Sequence, residues 1–548
     1  MRILAASARM ASVAGLALWS GTAAAHIGPS FLRIEGVDGG AKEEKFTGWV
    51  RAEANYWTKK PVLPEIRGAA SQKDDLLFTG PVAPATGPEM LAIAVDKASP
   101  ALAALMERCR SGAAIPELTF AESADLARHP QEHGPRPADI PEYYRYRLRD
   151  VRLTCPTVAD APEQAFGLHF QNIEWLNYRP HAEPRAIRAP AAKLPAKARG
   201  GTSRVFALSW FAAAVDSHPQ QCARMNAKPG EEDYYRLMSA EEAAKQRAIH
   251  AEGVGPDVMS FRGPDRMNVA LMPGIVADPG HVAPQADVVP GFDLDGDDGS
   301  GPPPPGTRKH RNFTSPDGRG GIDNQLFTVE GCVEGFRRKG FLPMIFNEGR
   351  AAGRPTALIE ISGIDDERND DDVTVTFYYS TDPLRRSPAK VVLADYTYRI
   401  TGEPEYTQDF ARFSGRIVDG ILTTSPIDRL HMHEVTGIET TFLKPRLRLE
   451  MLADGTLKGL IGGYLDWRQR VVWQTFRAAD YENTIGFQSP AIYNAMKRAA
   501  DGIQDPATGE FTGISAAFEI EGVSGFLPPA QRRERVAHTD DKSTERTQ

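Results

Sequence analysis

Short runs in which apolar residues alternate with polar ones dominate the second half of the chain. They cover residues 358–364, 373–380, 397–400, 413–422, 446–452 and 457–464. A period of two is typical of strands that bury one face. Asp454-Gly455 separates the last two runs and predicts a hairpin turn. Antiparallel runs at this spacing predict a β-sandwich-like domain over residues 291–530.

Helical periodicity is confined to a few segments. Leu102, Leu105, Met106 and Cys109 share one stripe of a predicted helix that follows Ser99-Pro100. A capping box formed by Ser239 and Glu242 predicts a helix over 239–250. A third helix is predicted from Ser489 to residue 501. The fold class expected from these patterns is mainly β with a few helices.

The first 25 residues have the pattern of a secretory signal peptide. Arg2 and Arg9 precede and flank an apolar run that ends at Trp19, and small residues follow it up to Ala25. Cleavage after Ala25 would make His26 the first residue. We therefore expect a periplasmic or extracellular protein, without a membrane span because no later apolar stretch has the required length.

Composition divides the rest of the chain. Residues 183–201 are rich in Pro, Ala and basic residues and predict a linker, followed by a mixed connecting segment over 202–290 that contains a strand-like run at 206–211. The charged residues 531–548 predict a disordered tail. The formal net charge of −8 becomes −10 without Arg2 and Arg9. That acidity argues against a nucleic-acid partner.

Residues 29–178 contain five stretches that carry a resemblance. They read Phe-Leu-Arg-Ile-Glu-Gly-Val from Phe31, Lys-Phe-Thr-Gly-Trp-Val from Lys45, Val-Asp-Lys-Ala-Ser-Pro from Val95, Ile-Pro-Glu-Leu-Thr-Phe from Ile115 and Tyr-Arg-Leu-Arg-Asp-Val from Tyr146. The segment resembles the haemolysin-coregulated protein (Hcp) family, the tube proteins of type VI secretion. The resemblance implies a small β-barrel with one helix and self-association, often as hexameric rings.

Four cysteines in an exported chain are expected to pair. Sequence alone leaves three pairings open. We favour Cys109 with Cys155, because both are expected to face the core of the first domain, against the alternative of two buried free thiols. This choice leaves Cys222 to pair with Cys332.

Alternating aspartates make residues 293–299 the first candidate site. Asp293, Asp295, Asp297 and Asp298 lie in one Gly-rich loop, and Asp317 or Asp323 could complete a shell of oxygens for calcium. An EF-hand is excluded, because Asp298 stands at the sixth position and Pro304 at the twelfth. The alternative is that these aspartates form Asx-turns.

Histidines provide two further candidates. On a strand, His431 and His433 would project from the same face and could bind zinc or copper, with a third ligand that the sequence does not identify. Cross-strand hydrogen bonding is the alternative for this pair. His26 at a mature N-terminus could bind copper, as in the histidine brace of lytic polysaccharide monooxygenases, against the alternative of a frayed terminus.

Three hypotheses for function follow. The first is an exported structural or binding protein with an Hcp-like assembly module and a β-rich domain that binds a ligand, such as a glycan, with calcium as a stabilising ion. The second is a metal-dependent enzyme that acts on an extracellular polymer through His431 and His433. The third is a tube or cargo component of type VI secretion. The chain contains none of the usual nucleophile, P-loop or dinucleotide motifs, and catalysis is not the expectation we favour.

Overall fold

The structure is a computed structural model. It describes residues 25–43, 46–57, 78–81, 89–123, 142–156, 161–170, 172–177, 201–227, 230–251, 272–352, 355–433, 439–476, 485–506 and 508–528. Residues 1–24 of the predicted signal peptide, all but the last residue of the predicted linker, and the predicted disordered tail lie outside these residues.

The N-terminal part forms a closed six-stranded barrel. Its strands and helix are β1 (Ala25–Ile34), β2 (Val50–Trp57), β3 (Phe78–Pro81), β4 (Glu89–Asp96), α1 (Leu102–Ser111), β5 (Ile115–Ser123), β6 (Glu142–Thr154), β7 (Glu163–Phe170) and β8 (Asn172–Asn177). The order β6-β5-β1-β2-β4-β7 closes where β7 pairs with β6, and β8 and β3 extend the sheet beyond β6. Side chains such as Leu32, Ile93, Phe120 and Leu168 fill the barrel core.

The single helix of the first barrel follows the predicted stripe. Leu105 and Cys109 of α1 are buried in the barrel core, and Gly112 ends the helix with a φ of 63°. Glycine suits this left-handed position because it lacks a Cβ. Along β6 the apolar side chains change parity near Asp150, which has a φ of 53°. The change brings Val151 and Leu153 into the core.

The remaining residues form a second and larger barrel. Its strands are β9 (Thr202–Ala213), β10 (Thr356–Ile364), β11 (Asp370–Ser380), β12 (Tyr396–Thr397), β13 (Ala411–Val418), β14 (Ile421–Thr424), β15 (Arg429–Met432), β16 (Thr440–Met451), β17 (Thr456–Asp466), β18 (Gly502–Gln504) and β19 (Phe511–Phe526). The path β9-β10-β11-β13-β14-β16-β17-β19 closes through a pairing of β19 with β9. Three short strands lie outside this closed path: β12 and β18 pair with β19, and β15 pairs with β16.

Seven further helices surround the two barrels in the described residues. They are α2 (Glu231–Tyr235), α3 (Ala240–Ala251), α4 (Gln325–Glu330), α5 (Phe341–Ala352), α6 (Pro404–Thr407), α7 (Trp467–Phe476) and α8 (Ser489–Ala499). Buried side chains of α4, α7 and α8 join the same apolar cluster as the interior of the second barrel.

The mainly β class with few helices is confirmed, and the expected sandwich is in detail a closed barrel. The difference comes from β9 and β19. Strand β9 belongs to the segment that we took as a connection, and β19, the longest strand, was not predicted at all. Phe518 pairs with Ala213 and Gly525 with Val205, so the two strands join the ends of the sheet. Closure removes both sheet edges, which a sandwich would leave open.

Two disulfides are present. Cys109 and Cys155 join α1 to the residue after β6, with 5.3 Å between their Cα atoms. Cys222 and Cys332 join the segment after β9 to the turn after α4, with 5.7 Å between their Cα atoms. The described residues contain no free cysteine. These are the two pairings favoured from sequence.

Candidate functional site

Strand β15 places the two predicted histidines side by side. His431 and His433 occupy alternate positions at its end, and their ring centroids are 4.6 Å apart. The register of β15 with β16 fixes this position, because His431 lies opposite Thr441. Both histidines are buried, at 2% and 5% exposure.

Two carboxylates that the sequence did not identify complete this group. Asp409 follows α6 and Glu439 precedes β16, and both are buried. Glu439 lies between the rings, 3.1 Å from His431 Nε2 and 3.3 Å from His433 Nδ1. Asp409 is 2.9 Å from His433 Nε2. We call Asp409, His431, His433 and Glu439 the His431 cluster.

Every ring nitrogen in the His431 cluster has a partner within the protein. His431 Nδ1 is 2.7 Å from Thr441 Oγ1, and the two carboxylates take the other three nitrogens. Arg429 donates to the second oxygen of Asp409 at 2.8 Å. A metal ion here would have to replace protons that these nitrogens share with their partners.

Charges in the His431 cluster stabilise one another. Burial opposes the charged form of His433, but hydrogen bonds with Asp409 and Glu439 raise its pKa to about 9. Burial likewise opposes ionisation of Glu439, and its hydrogen bonds with both histidines lower its pKa to about 2. Near neutral pH the cluster therefore contains the imidazolium of His433 and the ionised carboxylate of Glu439. Such a group rigidifies its surroundings when each charge is hydrogen-bonded.

Most aspartates in the predicted calcium loop accept hydrogen bonds from backbone N–H groups. Asp293 accepts from Gly296 N at 2.6 Å, Asp297 from Gly299 N at 2.8 Å and Asp298 from Ser300 N at 2.9 Å. These are Asx-type turns, the alternative considered from sequence. Asp317 lies elsewhere, with hydrogen bonds to Arg319 and Arg448.

Asp295 and Asp323 form a different group. Donor atoms of Asp295, His310 and Asp323 lie within 4.8 Å of one another. Asp501 approaches the same imidazole, with 4.0 Å between its Oδ2 and His310 Nδ1. We call these four residues the His310 cluster. His310 and Asp501 were not identified from sequence, because one lies in a Pro-rich stretch and the other was interpreted only as a helix end.

The remaining histidine candidate is defined only through the backbone. His26 pairs with Asn55 in the β1–β2 ladder. The prediction that it binds copper is not tested by this pairing.

Together these features define a mainly β protein with two closed barrels, of which the first is Hcp-like. Hcp2 from Salmonella typhimurium is 15% identical over 27% of this chain and 84% of its own, with a TM-score of 0.18. Hcp1 from E. coli EAEC 042 is 13% identical over 28% and 89%, also with a TM-score of 0.18. The resemblance of the N-terminal segment to Hcp proteins is thus confirmed, and we carry over no activity from these matches.

Other comparisons yield nothing. No protein-family model and no curated protein matches the chain. Among the described helices, none has both the length and the apolar character needed to cross a bilayer.

Proposed function

We propose that the protein is an exported structural protein in which the Hcp-like barrel mediates self-association and the second barrel binds a ligand, with a glycan or another cell-surface molecule as the expected class. The observation that carries this proposal is the contact between the barrels. It makes the Hcp-like barrel a fixed part of a larger body. The two disulfides support export.

A buried ion-pair network crosses that contact. Arg468, the second residue of α7, donates to Glu53 of β2 and to Glu510, at 2.9 Å each. Arg51 of β2 also donates to Glu510 at 2.9 Å. Burial opposes the charge of Glu510, but Arg468 and Arg51 lower its pKa to about 2. Because the charges are mutually hydrogen-bonded, breaking one pair would leave the other partners buried without compensation.

Apolar packing covers the same side of the first barrel. Four alanines on its outer wall, Ala54, Ala92, Ala94 and Ala165, pack against a group that includes Tyr234, Tyr235, Leu237, Met272 and Ile275. Tyr493 of α8 donates to Glu163 at the start of β7. This wall is therefore unavailable for association with another copy.

The opposite wall, formed by β5 and β6, is the surface that we assign to self-association. Glu117, Arg147 and Arg149 are between 33% and 48% exposed there, and they form ion pairs of 3.4 and 3.5 Å. Opposite charges on one wall suit a head-to-tail contact, in which Glu117 of one copy meets an arginine of the next.

Sedimentation velocity of the mature full-length chain tests this function. We expect an oligomer whose population rises with protein concentration and falls in the Arg149→Glu variant. Arg412→Glu, on an exposed position of β13, is the matched control and should leave the oligomer unchanged. A monomer at every concentration would contradict the proposal.

A metal-dependent enzyme is the second candidate, favoured by one observation. Donor atoms of Asp409, His431 and His433 lie within 4.8 Å of one another, as two imidazoles and a carboxylate around a metal would. Metal analysis of the purified protein tests it. Stoichiometric zinc or copper that is lost in His433→Ala would support the enzyme.

The third hypothesis is a tube or cargo component of type VI secretion. It requires an uncleaved chain that is retained in the cytoplasm.

A further inference from the structure

The loop over residues 291–324, which precedes α4, supplies three members of the His310 cluster and packs on the wall of the second barrel. Phe292 and Leu294 of this loop pack with Tyr464 of β17. Arg446 of β16 anchors the loop by donating to the carbonyl oxygens of Asp293 and Leu294. Asp323 accepts from Leu294 N at 2.7 Å. The loop is thus tied to the barrel wall immediately before Asp295.

A hydrogen bond of Nδ1 fixes the orientation of the His310 ring. Nδ1 is 2.9 Å from the carbonyl oxygen of Arg308, which can only accept a proton. Nδ1 is therefore the donor, and Nε2 faces Asp323 Oδ1 at 2.7 Å. Histidines that bind metals commonly donate one nitrogen to a carbonyl in this way. A metal ion at Nε2 would replace the proton that this nitrogen shares with Asp323.

Two carboxylate oxygens of the cluster accept no hydrogen bond in the described residues. Asp295 Oδ2 and Asp501 Oδ2 are buried and have no hydrogen bond in the part of the chain that the structure describes. Asp501 is only 1% exposed, and its other oxygen accepts from Ser515 N at 2.7 Å. Buried carboxylate oxygens are normally satisfied by a donor, a water or an ion.

Negative charge exceeds the positive charge that contacts it. Within the described residues, His310 is the one cation that forms ion pairs with Asp323 and Asp501, and Asp295 has none. A second positive charge at this point would therefore stabilise the group.

We propose that Asp295, Asp323 and Nε2 of His310 bind a first-row divalent cation, zinc or manganese, with Asp501 as an outer carboxylate. Mixed imidazole and carboxylate donors suit these metals. Calcium prefers oxygen donors throughout. The site retains two of the six aspartates predicted for calcium and changes the expected metal. It stabilises the loop over residues 291–324 against the barrel wall, and it does not depend on self-association.

Isothermal titration of the chelator-stripped, mature full-length protein tests this site, with ZnCl₂, MnCl₂ and CaCl₂ as separate ligands. We expect one equivalent of zinc or manganese whose binding raises the melting temperature. This equivalent should disappear in His310→Gln and in Asp295→Asn, which keeps the Oδ1 acceptor used by Asp297 N. It should persist in Asp298→Asn, an exposed position of the same loop.

The His433→Ala variant separates the two clusters. Zinc bound at the His310 cluster remains in His433→Ala, whereas zinc at the His431 cluster is lost there and remains in His310→Gln. Binding of calcium alone, absence of any binding, or an unchanged equivalent in folded Asp295→Asn would overturn the proposal. None of these outcomes changes the sedimentation test of self-association.

Discussion

Two buried histidine–carboxylate clusters on the same barrel differ in how their charges are compensated. In the His431 cluster, both nitrogens of each ring have partners and Arg429 pairs with Asp409. In the His310 cluster, one histidine faces three carboxylates, and two carboxylate oxygens accept no hydrogen bond among the described residues. Residue types alone therefore do not distinguish a self-sufficient ion-pair network from a site that needs a cation.

The pKa shifts express the same difference. Glu439 has a pKa lowered to about 2, which means that the folded state favours its charged form. Asp501 has a pKa raised to about 7, which means that the folded state opposes its charge. Removing a carboxylate should consequently have opposite effects on stability in the two clusters.

The largest expected effect comes from Glu439→Ala. This change removes the carboxylate that lies between His431 and His433 and leaves a buried imidazolium with Asp409 alone. We expect a loss of about 3–5 kcal/mol in the free energy of unfolding, the usual result of breaking a buried pair. Urea denaturation at pH 7 measures it.

Glu450→Ala is the matched control for this prediction. Glu450 lies on β16, as the residues next to Glu439 do, but its side chain is exposed. We expect a change within about 0.5 kcal/mol for this control. Equal effects of the two substitutions would show that the His431 cluster is not a stabilising network.

A gain in stability is expected for Asp501→Asn in chelator-stripped protein. The folded-state pKa of Asp501 is raised, so stability falls as pH rises from about 4 to about 7 and the full cost remains above pH 7. Asparagine removes that charge while keeping the acceptor for Ser515 N. The gain should be about 4 kcal/mol at pH 8, since the pKa of Asp501 lies about three units above its ordinary value and one unit corresponds to about 1.4 kcal/mol. A loss of stability in this variant would mean that the cluster does not have an excess of negative charge.

Sequence patterns predicted individual strands and helices well, but they did not predict which distant segments contact one another. The alternation around Met432 placed His431 and His433 on one face, but Asp409 and Glu439 reach them from other segments, and no local pattern gives such distances. Closure of the second barrel was likewise hidden, because β9 pairs with β19 across about 300 residues. Strand β19 itself carried a usable signal, a period of two in its buried residues Ile514, Ala516, Phe518 and Ile520.

The calcium hypothesis illustrates a second limit. Alternating aspartates indicated a loop that gathers carboxylates, yet all four aspartates of residues 293–298 accept hydrogen bonds from backbone N–H groups. Only Asp295 and Asp323 of the six approach a common point. The nitrogen donor that changes the expected metal, His310, has no distinguishing neighbours in the sequence.

The smallest effect is a difference in pH dependence between pH 4.5 and 6.5. In this window the His431 cluster should contribute a constant stability. Glu439 contributes fully above its unfolded pKa of about 4.3, and His433 contributes fully below its unfolded pKa of about 6.5. Asp501 should make stability fall as pH rises, because its folded pKa is about 7 against an ordinary value of 3.8. Glu163, whose pKa burial raises to about 7, acts in the same direction.

Asp501→Asn should therefore reduce the downward slope of stability against pH by about 1 kcal/mol per pH unit. Urea denaturation of metal-free protein at several pH values measures this slope. If wild type and variant have parallel profiles, Asp501 does not titrate in this window, and the excess negative charge that separates the two clusters is absent.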